Sequence, residues 1–117
     1  MSIKENIAVI EKNICEAARK SSRKREDILL LAVSKTVECD RIKEAVDEGL
    51  VELGENKPQE IVRKYPQLPG VKWHQIGHLQ TNKVKSMIDK VCLIHSVDSL
   101  RLAQEISKRA QQAGITM

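Results

Sequence analysis

Ile3, Ile7, Ile10, Ile14 and Ala17 recur at spacings of four, three, four and three. That is one apolar stripe on a helix, predicted over residues 3–20. A charged connection, "RKSSRKRED", follows, and its cations suit the C-terminal end of a helix dipole. From Ile28 the pattern changes to short apolar runs alternating with amphipathic ones. "ILLLAVS" reads as a strand, followed by a helix with Asp40 as N-cap, Ile42, Ala45 and Val46 inward, and Gly49 as the stop. "LVEL" is the second strand, with a helix over residues 59–64 that Pro66 ends. "VKWHQIG" is the third, and its helix carries Val84, Met87 and Ile88 on one face. "VCLIHSV" is the fourth, and Asp98 caps a helix with Leu102, Ala103, Ile106 and Ala110 inward before Gly114. "ITM" reads as the start of a fifth strand.

Strand starts at residues 28, 50, 71 and 91 mark four βα units of nearly constant length. Short connections between such units imply an α/β fold with a parallel sheet and right-handed crossovers. Two architectures fit: the N-terminal half of a (β/α)8 TIM barrel with an extra N-terminal helix, or an open doubly wound sheet. The first strand–helix turn has no glycine-rich phosphate loop, which favours the barrel. At 117 residues the chain is one domain, residues 1–117, and too short for a whole barrel of roughly 250.

The stretch "LLLAVSKT" is apolar without alternation, as expected of a strand covered on both faces, and it stops at Ser34 and Lys35. In parallel α/β proteins the strand ends form one rim, where active sites gather. The rim segments here are "SKT", "GEN", "IGHLQTNK" and "HSVD". They supply Ser34, Lys35, Asn56, His78, Gln80, Asn82, Lys83, His95 and Ser96, with His74 inside the third strand. A lysine at the end of a buried strand is either a surface charge or an amine held in a pocket, where it condenses with aldehydes. Lys12, Lys64 and Lys108 read as surface lysines. His74 and His78 span a strand end and Gly77, so shared metal ligation is not expected, and no metal site is assigned. Hydrogen bonding inside the protein suits His74 better. No paired glycosidase acids, nucleophile elbow or Walker loop is present.

Charge changes this picture only slightly. Residues 1–60 hold 11 Lys and Arg against 13 Asp and Glu, and residues 61–117 hold 9 against 3. The basic second half suits a phosphate group. Aromatics make up only 2%, too few for a base-stacking surface, so nucleic acid is not expected as a partner. Cys15, Cys39 and Cys92 are scattered, which points to a reducing compartment, and no apolar segment predicts a signal peptide or a membrane span. A cytoplasmic protein is expected.

"LLLAVSKT", "GLVELGENKPQE", "KWHQIGHLQTNKVK" and "IHSVDSLRLAQEI" together closely resemble the pyridoxal-phosphate homeostasis protein family. Its members are single-domain barrels similar to the N-terminal domain of alanine racemase. The resemblance runs along nearly the whole chain, while family members are about twice as long and take their phosphate cradle from later strands. It implies a pyridoxal 5′-phosphate (PLP) protein with Lys35 as the Schiff-base lysine, and with Asn56, His74 and Ser96 near the cofactor. It also implies PLP homeostasis without substrate turnover, and PLP-dependent apo-enzymes as partners. An alanine racemase-like enzyme is the first alternative, but it needs an acid–base partner across the ring, and the sequence offers no such tyrosine. A basic nucleic-acid-binding module, the less favoured second, rests only on charge. A half-barrel is also expected to pair with itself or with a second half.

Overall fold

A computed structural model describes residues 2–117. The first helix, α1 (Ile3–Lys20), has the predicted bounds, with Ser2 capping its N-terminus by accepting from the Glu5 amide. Its inward stripe is turned slightly from the one predicted: Ala18 is buried, whereas Ile10 and Ala17 face solvent. α1 packs against α2 (Cys39–Asp47) and is tied to the following turn by Arg25, whose guanidinium donates twice to the Glu11 carboxylate.

Four strands follow, β1 (Ala32–Val33), β2 (Glu52–Glu55), β3 (Lys72–Gln75) and β4 (Val91–Ile94), all parallel and in the order β1-β2-β3-β4. α2, α3 (Pro58–Lys64), α4 (Val84–Met87) and α5 (Leu100–Ala113) connect or follow them. Sequential order means every crossover steps the same way, so a right-handed chain lays all its helices on one face. A doubly wound sheet reverses its order part-way, and this sheet does not.

The core confirms the single covered face. Leu53, Trp73 and Val91 lie in one register row and pack against Ile42, Ile61, Val84, Met87, Ile88, Leu102 and Ile106 from the helices. The next row, Val33, Gly54, His74 and Leu93, points to the other face, which no helix among the described residues covers. There Val33 is 52% and Leu93 47% exposed.

Several expectations need correction. β1 is not covered on both faces, and it is paired over two residues instead of seven. In the β1–β2 register Leu29 and Leu30 fall opposite Leu50 and Val51, ahead of the start of β2, so they have no ladder to join, and Leu29 is largely exposed. α2 begins two residues earlier than predicted, so Glu38 occupies the cap position and Asp40 lies in the first turn. α5 is capped by Ser99 instead of Asp98: its Oγ accepts from the Leu102 amide at 3.1 Å, three residues on. "ITM" forms no strand; Ile115, Thr116 and Met117 line an apolar groove with residues of β4 and α5. Gly49 and Gly114 end their helices with positive φ, as predicted. Among the described residues, no helix is long and apolar enough to cross a membrane.

Candidate functional site

The predicted rim exists, but the structure divides it. Lys35 follows Ser34, whose amide extends the ladder by donating to the Gly54 carbonyl at 3.0 Å. Strand alternation puts Lys35 on the parity of Val33, the uncovered face. Lys35 is exposed and Thr36 beyond it has φ +64, a left-handed conformation unusual for a β-branched residue. Such strain persists where the surroundings hold it, and it turns the chain sharply just past the lysine.

Those surroundings were not legible as a site in the sequence. Lys64, predicted at the surface, is 1% exposed. Its Nζ donates to Glu55 Oε2 at 2.7 Å and to the Ser34 carbonyl at 3.1 Å, and the Ser34 hydroxyl donates to the same carboxylate oxygen. The correction has a helical reason. Pro58, Ile61 and Lys64 are three apart on α3 and all are buried, so Lys64 continues the inward face. Glu55 alternates with Gly54 and therefore points to the helix side of β2, toward Lys64. Among the described residues, this ammonium–carboxylate pair fixes the backbone that carries Lys35.

Asn56, one residue past β2, lines a cavity of about 200 Å3 together with Lys35, Thr36, Lys57, Glu60 and Arg63. Its position is set from behind. A Cβ on Gly77 would lie 2.8 Å from the Asn56 backbone, so only glycine lets the two rim turns approach this closely. The buried Gln75 amide donates to the carbonyls of Asn56 and Gly77 at 2.7 and 3.1 Å, joining them. Next to this cavity, Asn56 and Lys57 share a second one, about 220 Å3, with His78, Gln80 and Lys83. Asn82 lies apart, beside Arg101 and Glu105.

His74 is buried on the uncovered face, and both of its ring nitrogens have partners. Nδ1 is 2.9 Å from His95 Nε2, and Nε2 is 3.0 Å from Glu52 Oε1. One arrangement satisfies both bonds with neutral rings: His95 donates to His74, which donates to Glu52. His78 does not join them and faces Asp98 at 3.8 Å, an exposed contact worth little. Ser96 is half-buried, and its Oγ is enclosed without a hydrogen-bond partner. The structure thus brings Lys35 and Asn56 to one cavity and joins His74 to His95. Sequence reasoning missed the roles of Lys64, Glu52 and Glu55.

A pyridoxal phosphate homeostasis protein of Aquifex aeolicus is 43% identical over 112 residues, 94% of this chain and 49% of its own length. Proteins of the same name in other bacteria match at 33–39% identity over 87–93% of the chain. The chain belongs to the pyridoxal phosphate homeostasis protein family. It spans about half the length of the curated relatives it matches. No family model matches it. Among solved structures, a protein of Bifidobacterium adolescentis superimposes with a TM-score of 0.85 at 32% identity, covering 98% of this chain and 52% of its own. PipY of Synechococcus elongatus, solved with PLP bound, superimposes with a TM-score of 0.73 at 36% identity, covering 86% of this chain and 50% of its own. This family's sheet is therefore the frame in which Lys35, Asn56, His74 and Ser96 stand.

Proposed function

We propose that this chain is the Lys35-bearing part of a PLP-binding barrel, in which Lys35 is the covalent attachment point. The observation that carries this reading is the placement of Lys35. It is an exposed amine at a strand end, opening on a rim cavity, with its backbone pinned by the buried Lys64–Glu55 pair. PLP bound to PipY and the relatives' name support the same cofactor.

The residues present fit such a ligand in part. When bound, PLP supplies an aldehyde and a conjugated ring that the free protein lacks. The Lys35 amine meets the aldehyde, and the Asn56 side chain offers a donor and an acceptor to a ring substituent. The enclosed Ser96 Oγ has hydrogen-bonding capacity that no protein group uses. Lys57 and Arg63 place positive charge beside the cavity. His74 acts through His95, because both of its nitrogens are engaged. The cavity of about 200 Å3 is smaller than the roughly 300–1,000 Å3 usual for small-molecule sites. The remaining enclosure is assigned to strands that this chain does not span, completing a (β/α)8 barrel.

The role is to hold PLP and pass it to apo-enzymes, not to turn over a substrate. Turnover needs a positioned acid or base opposite the lysine. Tyr65 follows α3, where its ring lies against Lys90. The setting is the cytosol, where the exposed thiols of Cys15 and Cys92 stay reduced.

The test is PLP addition, borohydride reduction and peptide mapping. A single modified peptide containing Lys35 is expected, and Lys35→Ala should abolish it while leaving the thermal melt unchanged. Label spread evenly over Lys12 and Lys108, or retained in Lys35→Ala, overturns the reading.

A further inference from the structure

Away from the Lys35 cavity, the uncovered face carries a second cluster. Glu52, His74 and Cys92 come from three adjacent strands, and one ligand atom from each lies within 4.8 Å of the others. Their convergence has a backbone cause. The β3–β4 register steps from Trp73↔Val91 to His74↔Leu93, so Cys92 is the extra residue of a bulge. In a regular strand Cys92 would point opposite to Leu93. Here both are exposed, and the bulge turns the thiol toward His74.

We propose that Glu52, His74 and Cys92 form a divalent metal site on the helix-free face of the sheet, the face that the barrel proposed above turns inward, suited to Zn2+. A carboxylate, an imidazole and a thiolate are all zinc ligands, and three protein ligands leave a fourth position for water. The nitrogen and sulfur donors disfavour Mg2+ and Ca2+, which prefer all-oxygen shells. Two anionic ligands balance the charge of the ion, and the thiol proton leaves to solvent on binding. Tetrahedral zinc with bonds near 2.1 Å holds its ligand atoms about 3.4 Å apart. Glu52 Oε1 and His74 Nε2 are already 3.0 Å apart, so the exposed Cys92 side chain makes the main adjustment.

The surrounding groups match this role. His74 binds the ion through Nε2 once its proton moves to Nδ1, from which it donates to His95. That outer hydrogen bond fixes the tautomer and the ring plane, as partners of metal-bound histidines do. Lys72 stands 3.7 Å from the second Glu52 oxygen and holds the carboxylate from the far side. Without a metal, His95, His74 and Glu52 form a self-sufficient hydrogen-bonded chain in which Cys92 has no part. Cys92 therefore separates a metal site from a structural histidine network.

The experiment titrates the reduced, metal-free 117-residue protein with Zn2+ against a chromogenic chelator. A parallel Co2+ titration reads thiolate-to-metal charge-transfer absorption. One equivalent of tight binding and a thiolate band are expected. Cys92→Ser should weaken binding by at least on the order of tenfold and remove the band, and Glu52→Gln should weaken it similarly. Cys15→Ser and Cys39→Ser should change neither readout. Cys92 is exposed, so its serine variant should fold, which a variant of buried His74 need not. Absence of stoichiometric binding, or binding undiminished in Cys92→Ser, overturns the proposal. Neither readout involves Lys35 or PLP, so a failure here leaves the Lys35 attachment proposed above untouched.

Discussion

At Lys64 a full charge sits inside the protein with a carboxylate, a backbone carbonyl and almost no water. Burying an ion pair contributes little net stability, because desolvation offsets the attraction, but removing one member leaves the other charge stranded. Lys64→Met is therefore expected to destabilise the protein by about 3–5 kcal/mol. Adding Glu55→Leu should recover much of that loss, which urea denaturation of the single and double variants would measure. If Lys64→Met alone were neutral, the pair would not be holding the Ser34–Lys35 backbone. Lys35 was legible because an apolar run ended on it. Lys64 was not, although the signal was present, because lysine is read as a surface residue unless the helical face it continues is followed residue by residue. Glu52 and Cys92 were hidden for a different reason: their meeting depends on strand register and a bulge, which no local spacing encodes.

Among the elements, the long helices were the most readable. α1 and α5 repeat their apolar stripes over several turns; the inward residues of α5 came out as expected, while the inward face of α1 is turned toward Ala18. The short strands were less so. Whether "ILLLAVS" is covered on both faces depends on its neighbours in space, and β1 has only one. The attachment of α1 is open to a pH test. The Arg25 guanidinium, chiefly by hydrogen bonding, holds the Glu11 carboxyl below its ordinary value of 4.5. A carboxyl whose value is lowered by folding contributes stability above the unfolded value and loses it as pH falls through the folded one. Thermal melts from neutrality to about pH 3 should show this loss, small because the pair is exposed. Glu11→Gln should flatten that limb while matching wild type in the most acidic sample. An unchanged acid limb in Glu11→Gln would mean that other carboxylates, such as Glu60 and Glu105, account for it.

For the molecule as a whole, the sheet leaves two free edges, at β1 and β4, and one face bearing Val33 and Leu93 without cover. Unpaired edges and exposed apolar rows favour pairing with other strands. Sedimentation velocity should show concentration-dependent self-association, and PLP affinity should rise when the chain meets strands that complete the enclosure. A monodisperse monomer with unimproved affinity would argue against the barrel reading. The strand order has a further consequence, for how the molecule comes to be folded. Each strand pairs with a neighbour only about twenty residues away in the chain, as in Ala32 with Leu53 and Leu53 with Trp73. Such nearby pairings cost little loop entropy and favour fast folding. Units can be added one after another as the chain emerges. Ser34, Lys35, Glu55 and Lys64 all fall within the first 64 residues, so the buried pair that pins the Lys35 backbone can form before β3 and β4 join the sheet.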